Sequence, residues 1–188
     1  LIFTNHHCGY GAIAAASSIE NNYLRDGFYA KTKSEEIKTN LSVQFLIRIE
    51  DVTKEVNDSL GNLLGKARAD KQAAVLAAIN KRLSNTDEFI ECRISPIFKS
   101  NQFLAFIYQR YRDIRLVGTP PESVGKFGGD TDNWEWPRHT GDFSVFRVYM
   151  SKDGKPAEYN AANVPLKPKY FLPVSIKGIK DGDFAMIW

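Results

Sequence analysis

Apolar and polar positions alternate with period two over several stretches of the chain, and this pattern predicts a largely β protein. Val43, Phe45, Ile47 and Ile49 alternate with Gln44, Arg48 and Glu50, so Leu41 to Val52 is expected to be a strand, with Leu46 the exception to the pattern. Leu1–Thr4, Glu88–Phe98, Phe103–Tyr111, Ile114–Val117 and Phe143–Met150 are expected to be strands as well. A polar bend at Arg112-Asp113 and the stop Thr119-Pro120-Pro121 separate some of them. Phe171–Ile176 and Phe184–Trp188 read as two more strands, around the turn-rich stretch Gly178–Gly182. Asn163 to Tyr170 reads as irregular.

Period 3.6 appears only in the first half. Asn62 to Leu83 is rich in Ala, Lys and Leu and sets Ala73, Leu76, Ile79 and Leu83 on one face, the signature of an amphipathic helix. Ala12 to Leu24 carries Ile13, Ala16 and Tyr23 at helical spacing, with Gly9 and Gly11 breaking the strand before it and Asp26-Gly27 ending it. The fold class expected is therefore mainly β with helical insertions.

Composition narrows the classes. With 188 residues, 43% apolar and 25% charged, the chain can bury a real core and is not disordered as a whole. A net charge of +3, with both signs interspersed, leads to the expectation of no strong field for nucleic acid or a membrane surface, a local basic patch being the alternative. No apolar run reaches the roughly 18 residues of a membrane span. Two cysteines, Cys8 and Cys92, are too few for a disulfide framework. Both ends read as strands cut through, which makes a fragment of a longer protein the expectation.

Candidate chemistry sits in two places. Thr4-Asn5-His6-His7-Cys8-Gly9 puts two histidines at the end of an expected strand, just before an expected glycine turn. A histidine held there suits a general base facing a cleft. The plain alternative is a pair of surface or core histidines beside a buried thiol. A metal site on His6, His7 and Cys8 is disfavoured, because neighbouring strand residues point to opposite faces. In Thr140-Gly141-Asp142-Phe143-Ser144-Val145 an aspartate heads an apolar strand. It can orient a histidine and stabilise its charged form, or simply cap a turn.

The two segments together have the chain order of chymotrypsin-like peptidases, and the intervening loop sharpens the likeness. Phe127-Gly128-Gly129-Asp130-Thr131-Asp132-Asn133-Trp134-Glu135-Trp136-Pro137-Arg138-His139-Thr140-Gly141-Asp142-Phe143, with the opening Thr4-Asn5-His6-His7-Cys8-Gly9-Tyr10-Gly11-Ala12-Ile13, resembles the signature of the S46 serine peptidases. The likeness extends through Asp26-Gly27-Phe28 and Arg48-Ile49-Glu50-Asp51-Val52.

The resemblance implies an exported dipeptidyl aminopeptidase that cleaves dipeptides from the free N-terminus of oligopeptides by a His-Asp-Ser triad. It implies a periplasmic or cell-envelope enzyme of a Gram-negative bacterium, homodimeric, without metal or other cofactor. It implies a chymotrypsin-like double β-barrel, only partial here. Residues 1–188 would be the N-terminal portion of the peptidase domain, without its first strands, its helical cap domain or its serine-bearing part. Carried over by position, the resemblance selects His7 over His6 as general base, and Asp142 over Asp130 or Asp132 as its carboxylate. It assigns Asn133 and Trp134 to the substrate's terminal ammonium, with an amide oxygen as acceptor and a Trp face as cation partner. The family's partner for Cys8 would lie upstream of Leu1.

No Gly-x-Ser-x-Gly, Gly-Asp-Ser-Gly or Gly-Asn-Ser-Gly element occurs, and Ser144 lacks flanking glycines, so this chain alone is expected to be inactive. Two rival readings stand beside this one. One is a metal-dependent hydrolase using His6 or His7 with Asp130, Asp132 and His139. The other is a non-catalytic peptide-binding module that keeps the Asn133–Trp134 anchor.

Overall fold

The fold is given by a computed structural model that describes residues 1–84, 87–127 and 140–186. The chain opens with β1 (Ile2–Thr4), then α1 (His6–Ala16), α2 (Tyr23–Asp26), β2 (Phe28–Tyr29) and β3 (Ile37–Lys38). An excursion follows: β4 (Val43–Asp51), α3 (Thr53–Leu60), α4 (Gly65–Ser84), β5 (Ile90–Ile97) and β6 (Gln102–Tyr111). The chain then continues through β7 (Asp113–Thr119), α5 (Glu122–Gly125), β8 (Ser144–Met150) and β9 (Val164–Pro165).

These strands form two antiparallel sheets. In the larger, β1-β8-β7-β2 lie side by side, with β3 also pairing β7 and β9 pairing β8. The smaller is β4-β6-β5. Each has its own core. Ala12 and Ile13 of α1 meet Ile114, Leu116, Phe146 and Val148 of the larger sheet. Val56 and Leu60 of α3 and Ile79 and Leu83 of α4 cover Cys92, Phe103, Ala105 and Ile107 of the smaller. Burying each of these large side chains stabilises its layer by roughly 1.5–3 kcal/mol relative to exposure. The architecture is mainly β with helical insertions, and the described strands close no barrel.

Beneath the larger sheet lies a buried polar cluster. Arg115 makes a two-pronged ion pair with Asp113 at 2.8–2.9 Å and stacks 3.7 Å from the Tyr149 ring centroid. The Tyr149 hydroxyl and the Arg147 guanidinium both donate to Glu36, at 2.8 and 2.7 Å. Burial first, and then its bond to the Glu36 carboxylate, pushes the Tyr149 phenol up to about 12. Every member of the cluster has a partner, so it ties the segment before β3 to β8 without leaving a bare charge.

Several expected elements differ. The segment from His6 is helical, and neither Gly9 nor Gly11 breaks it. Gly9 faces β8 so closely that a Cβ there would lie 2.5 Å from Ser144 Oγ. Glycine serves here as a close-approach residue. The helix does not reach Leu24, because hydroxyl and amide side chains compete with it: Asn21 N donates to Ser18 Oγ and Arg25 N to Asn22 Oδ1, each at 3.0 Å. Helix α3, with Val56 and Leu60 one turn apart on its buried face, went unforeseen. The strands expected at Phe171–Ile176 and from Phe184 do not form within the described residues. Their apolar side chains have nothing to pack on, with Val174 93% and Ile176 97% exposed. Residues 187–188 lie outside the described residues.

Candidate active site

The first turn of α1 and the segment entering β8 meet because β1 pairs β8. Thr4 stands opposite Ser144, which brings Asn5–His7 alongside Gly141–Asp142. Ser144 reinforces this junction from a fully buried position, its Oγ donating to the Asn5 carbonyl at 2.9 Å.

Asp142 then does what a capping residue does, from a distant part of the chain. Its Oδ1 accepts from the His7 backbone N–H at 3.2 Å, one of the amides that a helix start leaves without an internal partner. The positive end of the helix dipole favours a carboxylate there. Asn5 occupies the N-cap position itself, but its side chain caps nothing on α1. It donates instead to Asp142 Oδ2 at 3.0 Å. The same Oδ2 lies 2.8 Å from His7 Nδ1. Partial burial works against the ionised carboxyl. The Asn5 amide, the His7 backbone N–H and the His7 ring outweigh it and hold Asp142 below the usual carboxylate range.

With Nδ1 donating to Asp142, the ring is fixed in orientation and tautomer, and Nε2 is left as the basic nitrogen. The His7 side chain is 65% exposed and Asp142 27%, so the pair faces outward with its carboxylate partly sheltered. Such a pair can take a proton from a hydroxyl and return it to a leaving group.

His6, next along α1, is placed quite differently. It is fully buried, and neither ring nitrogen has a hydrogen-bond partner among the described residues. It also stands on a helix, where the expectation of opposite strand faces does not apply. Of the other candidates, Asn133 and Trp134 lie outside the described residues, as do Asp130, Asp132 and His139. Among the described residues no cluster of three or more His, Cys, Asp or Glu is arranged to hold a metal ion. Cys8 and Cys92 are both free thiols, Cys8 exposed on α1 and Cys92 buried under α4. A groove of about 750 Å³ opens beside the larger sheet, lined by Phe28, Tyr29, Val117, Phe143 and Val145 among others, and contains neither His7 nor Asp142.

The motif reading paired His7 with Asp142, and the structure brings them together. It missed Asn5 and Ser144. An asparagine directly before a helix reads as a cap, and only the structure turns its amide towards Asp142. Ser144 is set apart by its burial, which its position in an apolar strand hints at.

The arrangement is thus an antiparallel β scaffold carrying a helix-borne histidine against an aspartate. The sequence model of Peptidase S46 matches residues 1–188. Dipeptidyl-peptidase 7 of Capnocytophaga gingivalis is 50% identical over the whole chain, which spans 26% of that protein. The Asp/Glu-specific dipeptidyl-peptidase of the same organism is 46% identical, again over the whole chain and 26% of the relative. The crystal structure of Porphyromonas endodontalis DPP11 in complex with substrate superposes with a TM-score of 0.84 at 40% identity, covering 96% of this chain and 27% of that one. The chain belongs to peptidase family S46. It spans about a quarter of the length of the curated relatives it matches.

Proposed function

We propose that the parent protein is a serine-type dipeptidyl-peptidase and that this chain supplies the histidine and aspartate of its triad. The observation that carries the reading is the 2.8 Å contact between His7 Nδ1 and Asp142 Oδ2, made across 135 residues of sequence. His7 Nε2 takes the proton of a serine hydroxyl as that oxygen attacks the substrate carbonyl, then gives it to the departing amine. Water, deprotonated by the same nitrogen, attacks the dipeptidyl ester; its bond to the serine oxygen breaks, the free dipeptide leaves, and His7 returns the proton to the serine. Asp142 accepts from Nδ1–H throughout and steadies the imidazolium. The serine comes from the part of the parent beyond this chain, and the chain alone turns nothing over. No metal or organic cofactor enters this scheme.

Family membership and the names of the relatives support a substrate with a free N-terminus. Asn133 and Trp134 are proposed to receive its ammonium, an anchor that sets the second peptide bond at the nucleophile. The two sheets are read as part of a chymotrypsin-like double barrel, completed by chain outside residues 1–188. An exported, periplasmic or envelope-bound homodimer follows from the same likeness. This stretch does not set the choice of cleaved residue. Its identity is 50% to dipeptidyl-peptidase 7 and 46% to the Asp/Glu-specific enzyme of the same organism, so it carries chemistry that both share.

The test is covalent labelling by a fluorophosphonate. The parent is expected to label, and the His7→Ala parent to lose labelling together with dipeptide release. An intact, folded parent that does not label contradicts the proposal. Inhibition of the parent by chelators would favour the metal-dependent rival. A parent that binds free N-termini but never turns over would favour the binding module.

A further inference from the structure

His6 is a buried ionisable group that the proposed chemistry does not use, and unlike Asp113, Arg115, Tyr149 and Glu36 it belongs to no hydrogen-bonded cluster among the described residues. Its ring is fully buried, with no hydrogen-bond partner at either nitrogen among the described residues. A polar ring left in that state costs free energy, so its position calls for a reason. The ring packs tightly on Gly125 of α5: a Cβ there would sit 2.6 Å from His6 Cγ and 2.7 Å from Cδ2. Tyr10 meets the ring edge-on, the centroids 6.4 Å apart.

What α5 does next connects this contact to Asp142. The Val124 carbonyl, adjacent to Gly125, accepts from the Gly141 backbone N–H at 3.0 Å. Gly141 is itself so close to Val124 that a Cβ would lie 2.8 Å from Val124 Cγ1. Gly141 immediately precedes Asp142. A closed circuit results, from His6 to Gly125, Val124, Gly141, Asp142 and back to His7, the neighbour of His6 on α1.

We propose that His6 is a positioning residue for the His7–Asp142 pair: its ring, wedged against Gly125, sets the turn whose Val124 carbonyl holds Gly141 and so aims the Asp142 carboxylate at His7. The inference rests on the triad reading above. It also gives the site a sensitivity to acid. Burial lowers the His6 pKa, against the pull of Asp142 and Glu122 and with help from Lys126 and His7. Those groups, with Tyr10 on its own helix, are the titratable neighbours that face it among the described residues: Glu122 from α5, Lys126 just after α5, Asp142 from the entry to β8, and His7 from α1. The folded value lies below the ordinary 6.5, so the wedge is complete above about pH 6.5 and is lost as the pH falls through the lower folded value.

The test is a double-mutant cycle in the full-length parent, read by dipeptide release. Gly125→Ala drives a methyl into the ring and is expected to lower kcat at least tenfold with KM within twofold. His6→Ala is expected to act in the same way by loosening the turn. The double variant is expected to recover most of the Gly125→Ala loss, because the methyl then fills the vacated space. Losses that simply multiply would overturn the proposal. Should Gly125→Ala fail to fold, His6→Leu, which refills the space beside Gly125, decides: kcat within about threefold of wild type where His6→Ala loses tenfold supports the wedge, and an equal loss in both variants overturns it. His7→Ala separates the two layers. If it stays active the triad reading fails, and this inference with it. If it is dead while the cycle is additive, only the role of His6 is refuted.

Discussion

Asp142 is held by three donors, the Asn5 amide, the His7 backbone N–H and the His7 ring, and each has a separate consequence. Hydrogen bonds to a charged group contribute about 1.5–3 kcal/mol each. Asn5→Ala in the parent is therefore expected to lower kcat by about ten- to a hundredfold, since 1.36 kcal/mol is a factor of ten. Asp142→Asn keeps the shape but presents an amide to the ring and selects the wrong tautomer, with an expected loss of about 10³–10⁴ in kcat. The lowered pKa of Asp142 also fixes a sign. Its contribution to stability is present above the ordinary value of 3.8 and is lost as the pH falls through the lower folded value. Thermal unfolding of wild type and Asp142→Asn should converge below that window and separate above it. That His7 and Asp142 would lie side by side was legible from two short motifs in their chain order. The part played by Asn5 was not, because a side chain that could cap its own helix turns instead towards a residue 137 positions away.

At the scale of elements, the site depends on how tightly α1 sits on β8. Gly9 is the point of closest approach, with a Cβ there 2.5 Å from Ser144 Oγ and 3.1 Å from the Phe146 ring. Gly9→Ala is expected to cost about 1–3 kcal/mol through overpacking. It should also displace the helix start, lowering kcat, and calorimetry together with dipeptide release on the parent will read both. Period two made β4 to β8 legible and period 3.6 made α4 legible; α4, β5, β6 and β8 each turn one face to a core, whereas Phe45, Ile47 and Ile49 of β4 alternate as expected yet stay 41–49% exposed. Helix α1 was not legible as a helix from its first turn. Glycine normally argues against helix, and the reason for Gly9 is tertiary: no side chain fits against β8. Helix α3 is only two turns long, and its two buried residues, Val56 and Leu60, are too few to show a period.

At the scale of the whole molecule, the segment from Tyr170 to Phe184 stands out. Its alternation reads as strand, yet Phe171, Val174, Ile176 and Phe184 are between 78% and 97% exposed. A pattern of alternation specifies which side chains share a face and says nothing about what covers that face. In the chain by itself, limited proteolysis is expected to cut first between residues 167 and 184. The same bonds should resist in the parent, and equal susceptibility in both would show that the segment is a tail with no partner. Function too belongs to this scale. A base and its carboxylate give little without a nucleophile, and the relatives are about four times the length of this chain. The central claim is therefore one of geometry in the intact protein. Its most direct test is a crystal structure of the full-length parent carrying a fluorophosphonate adduct. The account expects the labelled serine oxygen within hydrogen-bonding reach of His7 Nε2, with Nδ1 still on Asp142. An adduct on a serine remote from His7, or His7 and Asp142 drawn apart in a well-folded parent, would contradict it.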